Sequence, residues 1–322
     1  MSEVCDAIRP FWLTGIHKVS GHQERGLIGL FADQNFQIYT PISPTTAELH
    51  FADWEQVVKA FAADIARMST ASLETVEGIT QSKLLPKGAG WLFVRAYYSA
   101  FFATHALERM LGRSLTQLDA STTNAIDTVA SIFGMLTNGH LERGLYVCVA
   151  DGKRKILKIN KVVSDSGPHE ALWGDFTNLL RQVTTEILSQ PSNSLANQRV
   201  VVKFSDLQTA LTDGGAFGKG NWLSSMRNRV NYQHAFGAWF PYRERAAYYD
   251  QLFEIINTWS KDPDALSIWP QPGRDMQRFI ETCVMIVAMC RELCMDMARR
   301  CPIGMSFHKF ASISLIDRLG LE

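Results

Sequence analysis

The side chains with the clearest chemical potential lie in one short segment of the chain. It runs Trp222-Leu-Ser-Ser-Met-Arg227-Asn228-Arg229-Val-Asn231-Tyr232-Gln233-His234. In a helix, residues seven apart lie two turns apart on one face, so Arg227 and His234 would share a face, with Asn231 between them. An apolar stripe runs beside this face. The segment therefore predicts a helix whose polar residues border a buried edge.

These residue types suit the cleavage of a phosphodiester bond in RNA. Histidine can take the proton from a 2′-hydroxyl or give one to the leaving oxygen, because it titrates near neutral pH. The planar guanidinium of Arg227 can bind two phosphate oxygens and stabilise the charge of the transition state. Asn228 or Asn231 would orient either group. The scheme requires no metal ion and no cofactor, and we predict neither.

The segment resembles the Arg-x4–6-His signature of HEPN domains. Arg227 and His234 fit the long spacing, and Arg229 and His234 fit the short one. We favour Arg227 as the catalytic arginine, since helix geometry places it with His234. An upstream segment also resembles the family, because it is similar to the tyrosine-rich and alanine-rich helix that is typical of HEPN domains. That segment is Arg95-Ala-Tyr97-Tyr98-Ser-Ala100-Phe101-Phe102-Ala-Thr-His105-Ala106-Leu107.

The resemblance implies a helical bundle that often dimerises, with the Arg/His motifs of two copies meeting in one ribonuclease site. It implies RNA as substrate, a homodimer, and a role as a toxin or anti-phage effector with an antitoxin or defence-system protein as partner. This chain departs from the family in two ways. It has far more residues around the core, and Tyr232 and Gln233 stretch the motif relative to its commonest form.

Contacts to RNA must come from local patches, because Lys plus Arg and Asp plus Glu both number 32 and the formal net charge is zero. The basic run Lys153-Arg154-Lys155 is the best candidate for backbone contacts. Lys219 lies in a glycine-rich stretch that fails the Walker pattern. We interpret that stretch as a mobile loop leading into the motif helix. Tyr232, inside the motif, is a further candidate for substrate binding.

Composition indicates a folded protein of the cytoplasm. The 322 residues are 46% hydrophobic and 20% charged, which is enough for a real core. The opening residues contain no long apolar run, so we predict no secretory signal, and no apolar stretch reaches the length of a membrane span. The six cysteines are few for this length, which favours reduced thiols over a disulfide scaffold.

The predicted fold is mainly α, a HEPN-like helical bundle with a small inserted β-hairpin and extra C-terminal helices. Residues 1–50 are predicted as an irregular segment with a strand at Phe36–Tyr39, followed by a capping box at Thr45 and Glu48. Residues 51–322 are predicted as one elaborated helical domain. Its hairpin spans about 143–163, around Asp151-Gly152, and its C-terminal helices span about 243–320. Other helices are predicted at about 53–68, 91–111, 122–136, 168–189 and 222–234, with a short helical turn at 206–212.

The main alternative is a catalytically inactive HEPN-like interaction module in a larger complex. Four cysteines, seven, four and seven residues apart, would then form a stripe on one helix that faces either the core or a partner. They are Cys283, Cys290, Cys294 and Cys301. A third hypothesis is a nucleotide-binding regulator that uses the glycine loop. Arg227 and His234 in an open cleft would favour catalysis, and a cover over them, formed by the helix from Arg243, would favour the module.

Overall fold

The structure is a computed structural model that describes residues 2–81, 89–162, 167–190, 194–239, 246–269 and 273–321. These residues form eleven α-helices and four β-strands, so the mainly helical fold class is confirmed. The helices are α1 Glu3–Ile8, α2 Leu27–Ala32, α3 Trp54–Gln81, α4 Ala89–Met110, α5 Ala120–Ile132, α6 Pro168–Leu188, α7 Leu195–Thr212, α8 Trp222–Gln233, α9 Ala246–Ile256, α10 Asp275–Arg299 and α11 Ser312–Leu319. The strands are β1 Thr46–His50, β2 Arg113–Leu118, β3 Gly144–Asp151 and β4 Ile156–Lys161.

Helix α4 lies at the centre of the molecule, as its apolar sequence predicts. It packs against α3, α10, α6 and α8. The small residues Ala96, Ala100, Ala103 and Ala106 are buried, which allows neighbouring helices to approach its backbone closely. Arg95 has a structural role here, because it donates from Nη1 to the carbonyl oxygen of Gly78 at 2.7 Å and so ties α4 to the end of α3.

The hairpin of β3 and β4 is confirmed, but it belongs to a larger sheet. The order is β1-β4-β3-β2, with every neighbouring pair antiparallel. The predicted hairpin accounts for only half of this sheet. Strand β2 follows α4 directly through Gly112, whose φ of +73° suits a residue without a Cβ. Leu49 of β1 lies opposite Leu157 of β4, and both side chains are fully buried. The sheet therefore buries one face against the helices.

The N-terminal prediction is wrong at three points. The segment is not irregular, because α1 and α2 lie within residues 1–50. Phe36–Tyr39 is not a strand, since Gln37 makes only an isolated bridge to His50. No capping box forms at Thr45 and Glu48, because these residues enter strand β1, which alternates buried and less buried side chains. Pairing with β4 satisfies the backbone of this segment, and a helix would leave that edge of the sheet without its partner.

Two helices are longer than the sequence analysis proposes. Helix α3 continues past Met68 to Gln81, because Leu73, Val76 and Ile79 extend its buried stripe. The short turn predicted at 206–212 is the end of α7, an 18-residue helix. Its buried residues Val200, Phe204, Leu207 and Leu211 recur at helical spacing, so the periodicity was present in the sequence.

Helix α10 is buried along nearly all its length. Its cysteines at 283, 290 and 294 and the following Cys301 are all buried, so the stripe faces the core and the partner-facing alternative is wrong. The predicted break at Pro191–Asn193 and the predicted helix start at Arg243 lie outside the described residues. In the part of the chain that the structure describes, no helix is both long enough and apolar enough to cross a membrane.

Candidate functional site

Helix α8 carries the predicted motif and is fixed by its contact with α6. It begins at Trp222 as predicted, although the Asn221 side chain makes no capping hydrogen bond. The preceding Gly220 has a φ of +75°, and a Cβ there would lie 2.1 Å from Thr177 Oγ1 and 3.0 Å from the Trp173 carbonyl oxygen. Only glycine allows this approach without a shift of α6. The end of the glycine-rich stretch thus positions α8 against α6.

Arg227 lies on the buried side of α8, with only 8% of its surface exposed. Its guanidinium carbon lies 5.1 Å from the ring centroid of Tyr97 and 5.9 Å from that of Tyr98, both on α4. Among the described residues no carboxylate forms an ion pair with it, and its Nε makes no hydrogen bond. Burying an unpaired cation costs several kcal/mol, whereas a cation–π contact returns only about 0.5–2 kcal/mol. Arg227 is therefore a buried cation without a carboxylate partner in the described part of the chain.

A hydrogen-bonded group from three helices surrounds this cation. The Tyr97 hydroxyl lies 3.0 Å from His169 Nδ1 and accepts a hydrogen bond of 3.0 Å from Trp173 Nε1. Burial raises the pKa of this hydroxyl, and Trp173, Arg227 and Ser224 oppose that rise. Tyr97, Trp173 and Ser224 are buried, and His169, in the first turn of α6, is half-buried. The arrangement brings a phenol, an imidazole and a guanidinium together.

The two histidines of this region are both held in the neutral form. Burial, and then the charge of Arg227, lower the pKa of His169 to about 4. Burial, and then the charge of Arg109, lower the pKa of His105 well below its usual value. His105 Nδ1 lies 3.1 Å from Arg109 Nη1, so it is the hydrogen-bonded core histidine that its place in α4 predicts. His169, by contrast, is partly accessible.

Sequence reasoning did not identify His169 or Trp173 as site residues. They are four residues apart near the start of α6, and therefore share one helical face. That spacing is a weak signal by itself. It becomes informative only when the face is known to lie against the tyrosines of α4.

His234 lies beyond the end of α8 rather than on its face. The helix ends at Gln233, and His234 takes the left-handed conformation with φ 50° and ψ 30° while its N–H donates to the Arg229 carbonyl oxygen. Its side chain is exposed, whereas Arg227 is buried. The helix therefore ends one residue before His234, and the helical projection that placed these two residues on one face does not apply to His234. The structure brings Arg227 to the aromatic group and leaves His234 at the accessible end of the helix.

The backbone after α8 is held in an unusual shape. Phe236 also has a positive φ, of 65°, which is a rare conformation for an aromatic residue. The Arg229 guanidinium lies 4.7 Å from the Phe236 ring centroid, and Trp239 Nε1 donates to the Val230 carbonyl oxygen at 2.8 Å. Such backbone persists only where surrounding contacts enforce it, and it is concentrated at functional sites. These contacts hold the backbone on both sides of His234.

The remaining motif residues are divided between the two sides of α8. Asn228 and Asn231 are half-buried, and Arg229 is exposed. Tyr232 is 73% exposed, which leaves its ring accessible to a ligand.

The other predicted RNA contacts are exposed but lie elsewhere. Lys153, Arg154 and Lys155 form the turn between β3 and β4, which lies against Ala52 and Trp54. The principal neighbours of α8 are instead α4, α6 and α7. Lys219 is exposed in the loop before α8. Of these four residues, only Lys219 is joined closely to the motif helix.

Comparisons with known proteins identify no relative of this chain. No protein-family model, no curated protein and no solved structure gives a significant match to the chain. The geometry of the site is therefore the basis for assigning a function to this protein.

Proposed function

We propose that this protein is a metal-independent ribonuclease of the HEPN type. The observation that carries the proposal is the buried Arg227, which has no carboxylate partner in the described part of the chain. A phosphate of RNA supplies the missing negative charge, and the guanidinium fork matches phosphate oxygens. The exposed His234, seven residues along, supplies proton transfer.

The reaction needs two proton transfers around one phosphorus atom. The 2′-oxygen attacks phosphorus while the bond to the 5′-oxygen breaks, which gives a 2′,3′-cyclic phosphate and a free 5′-hydroxyl. His234 takes the proton of the 2′-hydroxyl as general base. Arg227 stabilises the charge that develops on the non-bridging oxygens. Arg229 and the exposed Tyr232 bind the flanking nucleotides, and Asn228 and Asn231 orient the reacting groups.

The resemblance to HEPN domains extends the proposal to the assembly. A second copy of the chain would bring its own Arg227 and His234 to a shared site. A toxin or anti-phage effector with an antitoxin or defence-system partner is the corresponding biological role.

The test is cleavage of transfer, ribosomal and messenger RNA by purified protein in excess EDTA. His234→Asn removes the imidazole and keeps a side chain that tolerates the left-handed conformation. Arg227→Met removes the charge and fills the same space. Gln34→Asn is the matched control, because Gln34 is exposed and has a φ of 54° at another place in the fold. We expect cleavage by wild type and Gln34→Asn, and a loss of about 100-fold or more in the two site variants.

Circular dichroism and thermal unfolding of each variant separate loss of chemistry from loss of folding. Cleavage that survives both site substitutions would refute the assignment of Arg227 and His234. If the folded wild-type protein cleaves none of the three RNA classes, the interaction module becomes the better hypothesis. In that module Arg227 would have a structural role, held by its cation–π contacts with Tyr97 and Tyr98.

A further inference from the structure

His169 is the one histidine in the described residues that lies both in the Arg227 cluster and within reach of solvent. Its Nδ1 is 3.0 Å from the Tyr97 hydroxyl, and its ring centroid is 4.5 Å from that of Phe101. The Pro168 that precedes it starts α6, so the ring is held by the first turn of a 21-residue helix. The His169 ring is therefore held by the backbone of α6 and by its contacts with Tyr97 and Phe101 on α4.

The hydrogen-bond partners of Tyr97 define where the protons lie. The indole of Trp173 can only donate, so it directs its N–H group at the hydroxyl oxygen. The hydroxyl proton of Tyr97 must then go to an acceptor, and the unprotonated Nδ1 of His169 is one. When the Tyr97 hydroxyl donates to Nδ1, the ring proton of neutral His169 resides on Nε2. When Nδ1 is protonated, the Tyr97 hydroxyl can turn to the Ser224 oxygen instead.

The groups near His169 that contact it or influence its pKa come from α4 and α8. Helix α4 contributes Tyr97, Tyr98 and His105, and α8 contributes the cation of Arg227. No carboxylate is among these groups. Glu170 is the next residue of α6, but among the described residues no carboxylate contributes to the pKa shift of His169. An anion bound to Arg227 would add a negative charge beside the imidazole.

We propose that Tyr97, His169 and Arg227 form one binding site for a phosphate diester, in which His169 is the second proton-transfer residue. Arg227 holds the non-bridging oxygens. The bound anion offsets the charge of Arg227, and His169 then takes up a proton on Nδ1. The imidazolium gives its Nε2 proton to the 5′-oxygen as the bond from phosphorus to that oxygen breaks, while His234 receives the proton of the 2′-hydroxyl. This last step depends on the proposed ribonuclease function, whereas the binding site does not.

The first experiment needs no cleavage. Histidine labelled at Cε1 allows the pKa of His169 to be measured by NMR, with His169→Gln to assign the signal. The probe is uridylyl-uridine methylated at the 2′-oxygen, which contains the phosphate diester and cannot be cleaved. We expect the bound dinucleotide to raise the pKa of His169 from about 4 toward the ordinary histidine range. Arg227→Met should raise that pKa without any ligand and abolish the further rise.

The second experiment measures the rate of RNA cleavage against pH. His169→Gln should lower kcat by about 100-fold and change KM little, and it should remove one limb of the pH profile. His140→Gln is the control, because His140 is exposed and its Nδ1 lies 3.0 Å from Asp127. That variant should behave as wild type.

The outcomes separate the two claims. A pKa of His169 that the dinucleotide leaves unchanged, or a failure of the dinucleotide to bind, overturns the phosphate site even if RNA is cleaved. A ligand-dependent rise without any cleavage supports the site and refutes the ribonuclease. Cleavage by His169→Gln with the wild-type pH profile overturns the role of His169 in proton transfer.

Discussion

Gly90 provides the sharpest test of how the backbone after α8 is held in place. It lies in the first turn of α4, and its N–H donates to the Ala238 carbonyl oxygen at 2.9 Å. A Cβ at this position would lie 2.6 Å from Trp239 Cδ2 and Cε2. The indole is rigid, and its Nε1 is already bonded to the Val230 carbonyl oxygen. Gly90→Ala must therefore displace Trp239.

The magnitude follows from three contributions. Alanine improves helix propensity by up to about 1 kcal/mol. Overpacking against the indole costs about 1–3 kcal/mol, and loss of the bond from Trp239 to Val230 costs about 1 kcal/mol more. The net expectation is a loss of about 1–3 kcal/mol in the free energy of unfolding.

The assay is urea denaturation followed by circular dichroism, with Gly78→Ala as control. Gly78 lies in α3, and the nearest atom to its Cβ position is Arg95 Nη1 at 3.8 Å, an ordinary contact. Gly78→Ala should leave stability unchanged or increase it by up to about 1 kcal/mol. Gly90→Ala that is as stable as wild type would refute the claim that Trp239 is locked between α4 and α8.

Three further predictions test the core. Glu108 is fully buried, and burial, then the charge of Asp175, raise its pKa well above the usual value. The unfolded chain loses this proton above about pH 4.5, whereas the folded chain keeps it. Relative to wild type, Glu108→Gln should therefore gain stability as pH rises, by at most about 1.4 kcal/mol per pH unit, and show no gain at pH 4. Urea denaturation at several pH values measures this difference, and a difference that does not change with pH would contradict the prediction. Arg95→Met should destabilise the protein by about 1.5–3 kcal/mol in thermal unfolding, since it removes a charged donor from the Gly78 carbonyl oxygen, and an unchanged melting temperature would refute this. All six cysteines are buried, so a thiol reagent should label none rapidly in the folded protein and all six in urea; rapid labelling of any cysteine without urea would show that the core opens.

Much of the helical architecture could be predicted from periodicity. The apolar spacing in α4, α5, α6 and α10 marks faces that must be buried, and the structure has helices at each of those places. The same reasoning placed the cysteines of α10 in one stripe, and Asp-Gly between two β-prone runs located the hairpin. These signals are local, so they survive without knowledge of any neighbour.

The remaining features depend on contacts between distant segments. Strands β1 and β2 have no strong local signal and form because β3 and β4 offer unpaired edges. At the site, the sequence identified Arg227 and His234 as candidates but predicted that they share one face. That prediction assumed that the helix continues through His234, whereas α8 ends at Gln233. His169 lies 72 residues from Tyr97 in sequence, and only the packing of α6 against α4 brings the two together. The sequence by itself therefore determines the residue types of the motif. The tertiary structure decides the burial of Arg227 and the contact of His169 with Tyr97, because both depend on groups that no local pattern contains.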